Sequence, residues 1–236
     1  MSEATQIPHG LDVVEAEAVL NDIGKERTLS KRIDLASQHF LGRPYLEASL
    51  GGGFGQSEVF RATFDGFDCV TYIETVLALA LADTVSQFSN LLRQIRYDQG
   101  KVDWVHRNHY MVDWSERNEA AGFVVNVTIG EDTREKTCLL NLIAGLASRT
   151  VTFKYFPSPL SIRVLYQIQT GDFALFVSQK DTLDVFHTGI LIVGNDAVNV
   201  RHATRKTGVV IEQPLRRFAS ENDMKGLVLL RPIWRV

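Results

Sequence analysis

The hydrophobic pattern of this chain changes its period, from helical in the first part to strand-like in the second. Residues 11–27 and 29–41 place apolar side chains at helical spacing. Residues 70–82 form an apolar run that is too short to span a bilayer and indicates a buried helix. A further helix is predicted at 136–147. Helices followed by strands predict an α+β fold, in which the helices pack on an antiparallel sheet.

Short runs with the strand period follow the helices and are separated by turn residues. They are residues 151–155, 173–178, 186–193, 197–203, 209–212 and 227–230. The Gly-Asn-Asp turn at 194–196 lies between two of these runs and predicts a hairpin that joins them.

The length and composition fit a single domain over 1–236, because a chain of 236 residues with 45% hydrophobic content can bury one large core. It would contain an N-terminal helical region at about 11–41 and an insertion at about 98–150. The net charge of −3 makes nucleic acid an unfavourable partner. No run fits an integral membrane segment, and the first ten residues lack the features of a secretory signal, which leaves a cytoplasmic location open.

Cys69 stands at the predicted start of the 70–82 helix and follows a glycine-rich loop. A helix N-terminus carries unpaired amides and a partial positive charge, which favour a reactive thiolate. Cys69 is therefore a candidate nucleophile, although a cysteine is as often a small core residue. Cys138 lies in an apolar setting and is predicted to be core. No cysteine or histidine spacing indicates a metal site.

A thiol nucleophile needs a base, and two histidines flank the predicted hairpin. His187 begins one strand and His202 ends the next, so antiparallel pairing would make them neighbours. One imidazole would act as the base and the other would orient it. Because the register of a hairpin is not fixed by sequence, Asn195 and Asn199 are alternatives for the orienting group. Gly189 is expected to leave a gap on the strand that a helix end can approach.

Residues 107–114 combine cationic, amide, imidazole, phenol and indole groups. Such a cluster suits a polar sugar-peptide ligand, with Tyr110 or Trp114 on its apolar face and Arg107 on a carboxylate. The alternative is a structural ion pair between Arg107 and Asp113. The candidate binding residues of this segment are Arg107, Asn108, His109, Tyr110, Asp113 and Trp114.

Several separated motifs resemble known families. Four motifs resemble, in order and spacing, those of the NlpC-type, papain-like cysteine peptidases and amidases that act on bacterial peptidoglycan. They are Gly42-x-Pro44-Tyr45, Phe67-Asp68-Cys69, His187-x-Gly189-Ile190 and His202-Ala203-Thr204. More narrowly, residues 68–79, 107–114, 171–172, 183–187 and 225–231 resemble the N-acetylmuramoyl-L-alanine amidase-like family. The similarity covers about 41–231.

The resemblance implies a papain-like core, with helices on an antiparallel sheet or half-barrel and the nucleophile Cys69 at a helix N-terminus. His187 would be the base and His202 the orienting residue. Tyr45 would line the active site, with aromatic packing beside Pro44 as the alternative, and Asp68 would contact substrate.

The function implied by the resemblance is a cysteine amidohydrolase that cleaves an amide bond in peptidoglycan or muropeptides. It would be an N-acetylmuramoyl-L-alanine amidase or a stem-peptide endopeptidase that uses no metal or organic cofactor. Its location would be the bacterial cell envelope or outside the cell. The alternatives are an acyltransferase on the same core and a non-catalytic module that binds peptidoglycan or a protein.

Overall fold

The computed structural model describes residues 6–234. The chain divides into two compact units. The first contains the described residues up to Asn108 together with Ala203–Ile211, and the second contains His109–His202 and the described residues from Glu212 onward. The predicted insertion at 98–150 therefore contributes to both units. That the whole chain acts as one catalytic domain stays a prediction.

The helices of the first unit are α1 Val13–Ile23, α2 Leu29–His39, α3 Cys69–Leu81 and α4 Val85–Arg96. The first two confirm the predicted N-terminal helices. Each begins at a side chain that accepts a hydrogen bond from a first-turn amide, Asp12 in α1 and Thr28 in α2. Such caps satisfy amides that have no partner within the helix.

The helix α3 is the centre of the first unit. Ten of its thirteen residues are buried, and it packs against α1, α2 and α4. A helix that is apolar all round is stable only when it is covered, so the predicted buried helix is confirmed. Its one acidic residue, Glu74, pairs at 2.7 Å with Arg96, which also donates to the Arg61 carbonyl. The pairing leaves neither buried charge uncompensated.

An antiparallel sheet makes up most of the second unit, while residues 203–204 of its sixth strand and 209–211 of its seventh belong to the first unit. The strands of the sheet are β1 Val124–Asn126, β2 Arg134–Leu140, β3 Arg149–Pro157, β4 Phe173–Ser178, β5 Val185–Val193, β6 Val198–Thr204, β7 Val209–Pro214 and β8 Met224–Pro232. The order is β2-β3-β8-β4-β5-β6-β7, and β1 pairs with β8. The helices of this unit are α5 Met111–Ala120, α6 Ile162–Gln167 and α7 Leu215–Glu221. The α+β class and the six predicted strands are confirmed.

The predicted helix at 136–147 is wrong, because its first residues belong to the strand Arg134–Leu140. Lys136, Cys138 and Leu140 are buried at alternate positions, which is the period of a strand. The burial of Cys138 agrees with its prediction as a core residue. The buried ammonium group of Lys136 donates to three backbone carbonyls, those of Ser178, Lys180 and Leu183, at 2.5, 2.9 and 2.6 Å.

An apolar core joins the central strands of the second unit to α7. Phe176 of β4, Leu191 of β5, Val200 of β6 and Phe218 of α7 belong to it, and none of these side chains is more than 2% exposed. Because β5 and β6 both contribute to this core, the hairpin between them is held rigidly. Its turn is closed by a hydrogen bond from the Gly194 amide to the Ala197 carbonyl.

Candidate active site

Cys69 is the first residue of α3 and its side chain is partly exposed. The predicted helix start is confirmed. Asp68 caps the helix, because its carboxylate accepts hydrogen bonds from the amides of Val70 at 2.9 Å and Thr71 at 2.7 Å. Two of the first-turn amides, which have no partner within the helix, are therefore bonded to the Asp68 carboxylate. The thiol nevertheless stands at the positive end of the helix.

The segment that carries Tyr45 lies beside the loop that leads to Cys69. Tyr45 bridges Phe67 in parallel register, and the Phe67 amide donates to the Pro44 carbonyl at 2.9 Å. Gly66 makes this approach possible, since a Cβ at that position would collide with the Pro44 carbonyl and the Leu46 side chain. The lack of a side chain at Gly66 thus fixes Tyr45 close to the helix start.

Tyr45 also interacts with charged groups of the first unit. Burial raises the pKa of the Tyr45 hydroxyl, a hydrogen bond with Arg205 lowers it, and a thiolate at Cys69 would raise it further. The guanidinium of Arg205 lies 5.8 Å from the Tyr45 ring centre and pairs with Glu47 at 2.6 Å. Tyr45 is therefore within electrostatic range of the Cys69 sulfur.

His187 of β5 and His202 of β6 form a hydrogen-bonded pair, with 2.7 Å between His187 Nε2 and His202 Nδ1. The predicted proximity of the two histidines is confirmed. Asn199, an alternative partner, instead donates to Glu212 at 2.8 Å, and Asn195 lies in the turn between the strands. Of the three candidates for the orienting group, His202 is therefore the one that is hydrogen-bonded to the imidazole of His187.

Phenylalanine rings surround this histidine pair. Phe176 and Phe218 stack on His187 at centroid distances of 6.2 and 5.6 Å, and Phe218 meets the edge of His202 at 5.2 Å. Burial lowers the pKa of His187 to about 3, with His202 as a second cause, and lowers the pKa of His202 to about 4. Both imidazoles are therefore neutral near pH 7, the state in which a histidine can accept a proton.

Gly189 does not leave a gap for a helix end, as the sequence suggested. A Cβ at this position would lie 2.6 Å from Val200 Cγ2 and 3.2 Å from His202 Cβ, so strand β6 occupies the space. The glycine instead lets β6 approach β5 closely. This close approach brings His202 within hydrogen-bond distance of His187.

Sequence reasoning missed Gln213 of β7, which lies on the far side of His202. The Nε2 atoms of Gln213 and His202 are 3.0 Å apart. The preceding residue, Glu212, has the opposite orientation and binds Arg201 at 2.5 Å and Asn199 at 2.8 Å. Successive residues of a strand point to opposite faces, so the pairs Arg201–Glu212 and His202–Gln213 lie on different faces of the sheet. The sequence gives the face of the strand on which Gln213 lies, but only the pairing of β6 with β7 shows that this face carries His202.

Arg107, at the start of the predicted binding segment, pairs with the buried Glu58 at 3.0 Å. Its guanidinium also lies 4.5 Å from the ring centre of Trp104. The Tyr97 hydroxyl donates to the same carboxylate at 2.9 Å. The anticipated alternative, an ion pair between Arg107 and Asp113, is therefore not the arrangement found. Sequence reasoning missed Glu58, which is distant in sequence and carried no local signal.

The other members of the 107–114 segment have mainly structural contacts. Asn108 donates to the Ile95 carbonyl at 3.0 Å. In the second unit, the Tyr110 hydroxyl accepts hydrogen bonds from the amides of Leu142 and Ile143, and Asp113 pairs with Arg149. Trp114 is fully buried and packs near Phe173, while His109 is partly exposed. A ligand-binding role of these residues stays a prediction.

Two features are absent from residues 6–234. No group of three or more histidine, cysteine and acidic side chains in this part of the chain is arranged to hold a metal ion. None of the helices described is long and apolar enough to cross a membrane.

The comparison with known proteins identifies the family. Residues 35–227 match the model of the AmiA-like family, which is described as N-acetylmuramoyl-L-alanine amidase-like. The match extends over most of the chain, so the protein belongs to this family. The narrower of the two resemblances seen in the sequence is thereby confirmed. No curated protein matches the chain.

Solved structures share the fold. A protein from Legionella pneumophila has a TM-score of 0.82 at 22% identity, with 95% of this chain and 97% of that chain covered. A structure of an N-acetylmuramoyl-L-alanine amidase from Bacteroides uniformis has a TM-score of 0.78 at 25% identity, covering 87% of this chain and 99% of that one. Another, also of an N-acetylmuramoyl-L-alanine amidase from this organism, has a TM-score of 0.74 at 26% identity, covering 85% and 98%.

Proposed function

We propose that this protein is a cysteine amidohydrolase that cleaves an amide bond of bacterial peptidoglycan or of muropeptides. The observation that carries the proposal is the neutral imidazole pair, with 2.7 Å between His187 Nε2 and His202 Nδ1. A base held by a second polar group is what a thiol nucleophile requires. Membership of the amidase-like family and the similarity to amidases of Bacteroides uniformis support the substrate class.

In the proposed reaction, His187 takes the proton of the Cys69 thiol and the sulfur attacks the amide carbonyl. The resulting oxyanion is stabilised by the positive end of helix α3. His187 then protonates the leaving amine as the C–N bond breaks, which leaves a thioester on Cys69. Water attacks the thioester, His187 accepts a proton from that water, and the acid and the thiol are released.

We assign this chemistry to a papain-like, NlpC-type core within a single catalytic domain. The order of the parts along the chain supports it, since a cysteine that begins a buried helix is followed by a histidine hairpin in an antiparallel sheet. The reaction requires the imidazole of His187 to reach the thiol of Cys69 in the working enzyme. Treatment with 1,3-dibromoacetone should therefore bridge these two side chains, and a bridge to another histidine would contradict the assignment.

Tyr45 is the first candidate for a substrate contact, because its hydroxyl is within electrostatic range of Cys69. Asp68 supports the same site by capping the helix that Cys69 begins. The partly exposed His109 is a further candidate. Asn108, Tyr110, Asp113 and Trp114 would act indirectly, because each is at least nine-tenths buried. Arg107 would fix the loop before α5 through its pair with Glu58.

The scissile bond would join the lactyl group of the sugar to L-alanine, or would lie within the stem peptide. Such substrates place the protein in the bacterial cell envelope or outside the cell. The proposed reaction uses protein side chains and water, and it needs no metal or organic cofactor.

The test is mass spectrometry of defined muropeptides before and after incubation with the protein. Hydrolysis adds one water across the broken bond, and the masses of the two products identify that bond. The Cys69→Ala variant should give no product, whereas the matched Cys138→Ala variant should retain turnover. Turnover by Cys69→Ala, or none by the folded wild-type protein on any muropeptide, would contradict the proposal.

The same experiment separates the alternative functions. An acyltransferase would give a new amide or ester when an amine or an alcohol is added, in place of the free acid. A binding module would retain the muropeptide and give no product.

A further inference from the structure

We propose that Gln213 is a positioning residue, whose side-chain amide sets which nitrogen of His187 is free to accept a proton. The catalytic meaning of this inference rests on the proposed function. Its physical basis lies entirely within the second unit, in the row of side chains His187, His202 and Gln213.

Three side chains in this row are linked by two contacts. His187 Nε2 lies 2.7 Å from His202 Nδ1, and His202 Nε2 lies 3.0 Å from the Gln213 amide nitrogen. Each neutral imidazole has one nitrogen that donates and one that accepts. The partner of the last nitrogen in the row therefore determines the tautomer of both rings.

The amide of Gln213 has two ways to meet His202. When the amide presents its nitrogen, His202 Nε2 must accept, so His202 Nδ1 carries the proton and donates it to His187 Nε2. The proton of His187 then sits on Nδ1, and that nitrogen is no base. The structure has this first orientation, because Gln213 Nε2 lies 3.0 Å from His202 Nε2.

A half-turn of the amide reverses the row. Gln213 Oε1 then accepts a proton from His202 Nε2, His202 Nδ1 accepts from His187 Nε2, and His187 Nδ1 is left unprotonated. We assign the active state to this arrangement, because His187 can then accept the thiol proton and still donate to a neutral partner. An amide can serve both states, since it carries a donor and an acceptor of similar size.

The surroundings of the row favour a role for Gln213 that water does not replace. His202 is 2% exposed, and the rings of Phe176 and Phe218 pack against His187 at centroid distances of 6.2 and 5.6 Å. Gln213 itself is partly exposed, so its amide has room to turn. A buried imidazole nitrogen without a partner would be destabilising, and the amide satisfies it in either orientation.

The direct test is nuclear magnetic resonance of protein labelled with ¹⁵N in its histidines. Long-range proton–nitrogen spectra distinguish protonated from unprotonated ring nitrogens. At about pH 7, where both rings are neutral, the wild-type protein should show His187 and His202 both protonated on Nδ1, as the contact between the nitrogen atoms of Gln213 and His202 implies. The Gln213→Leu variant should lose this preference, whereas Gln213→Glu, which can only accept when ionised, should move the proton of each ring to Nε2.

Glu212→Gln is the matched control, because Glu212 is the adjacent residue on the opposite face of β7. It should leave both tautomers as in the wild type. The inference is overturned if Gln213→Glu leaves the His202 proton on Nδ1, or if Gln213→Leu leaves both rings unchanged. Should Gln213→Leu fail to fold, the wild-type and Gln213→Glu spectra still decide, because each has one expected tautomer.

This readout needs neither Cys69 nor a substrate, so it stands apart from the proposed function. If the wild-type protein does not hydrolyse muropeptides, the proposed function fails and the tautomers are still measured. If it does, Gln213→Leu should lower kcat at least about tenfold with little change in KM, within the roughly 10⁴-fold loss seen for a wrongly held tautomer. Equal kcat in both proteins would overturn the catalytic meaning of the inference.

Discussion

His187 and His202 share one proton across the 2.7 Å between Nε2 of the first and Nδ1 of the second. The pair is neutral because burial lowers both pKa values, to about 3 and about 4 from the ordinary 6.5. A second proton on the accepting nitrogen would remove this hydrogen bond, and burial disfavours a charge on either ring. The folded state of the second unit is therefore tied to the neutral form of both rings.

The free energy of unfolding should fall as the pH drops from about 6.5 toward about 4. In this window the histidines of the unfolded chain bind protons, whereas those of the folded protein stay neutral. Each histidine contributes a slope of about 1.4 kcal/mol per pH unit in this window. Urea unfolding at a series of pH values measures it. The His202→Gln variant should reduce this slope by about 1.4 kcal/mol per pH unit, which corresponds to one proton. An unchanged slope would contradict the low pKa of His202.

His202→Ala should lower kcat/KM by a factor of about 10² to 10⁴, because the base His187 loses the group that orients it. Asn199→Ala should remain near the wild-type value, since Asn199 bonds to Glu212. Steady-state kinetics on the muropeptide identified as substrate give both numbers. The reverse ranking of the two variants would make Asn199 the orienting residue.

Iodoacetamide near neutral pH should modify Cys69 much faster than Cys138. Cys69 stands partly exposed at a helix N-terminus, whereas Cys138 is 2% exposed and burial raises the pKa of its thiol. Peptide mapping after timed alkylation measures the two rates, and the same experiment in urea is the control that should make them similar. Equal rates in the folded protein would show that Cys69 is not an activated thiol.

Glu74→Ala should destabilise the first unit by about 3–5 kcal/mol, because it leaves the buried Arg96 guanidinium without its counter-charge. Both side chains of this pair are at most 2% exposed. The matched control is Asp22→Ala, which removes an exposed pair with Lys25 and should cost no more than about 1 kcal/mol. Chemical unfolding measures both, and similar losses would mean that the buried pair is not needed.

Hydrophobic periodicity was sufficient to predict the helices α1, α2 and α3 and the strands from β3 onward. It failed at 136–147, where apolar residues fit both a helix and a strand, and the buried Lys136 needed carbonyl partners that are distant in sequence. The His187–His202 pair followed from a hairpin, which is local. Gln213 and Glu58 depended on strand pairing and tertiary contacts, which no local pattern encodes.

The three carbonyls that enclose the Lys136 amine have a practical consequence. Lys136 is 1% exposed, so amine-directed reagents such as acylating agents should ignore it in the native protein while labelling surface lysines. Once acylated during an opening of strand β2, its nitrogen can no longer donate to all three oxygens, and the strand cannot return to its place. Acylation of Lys136 therefore marks each molecule in which strand β2 has opened, and mass spectrometry measures the fraction of molecules that carry this mark.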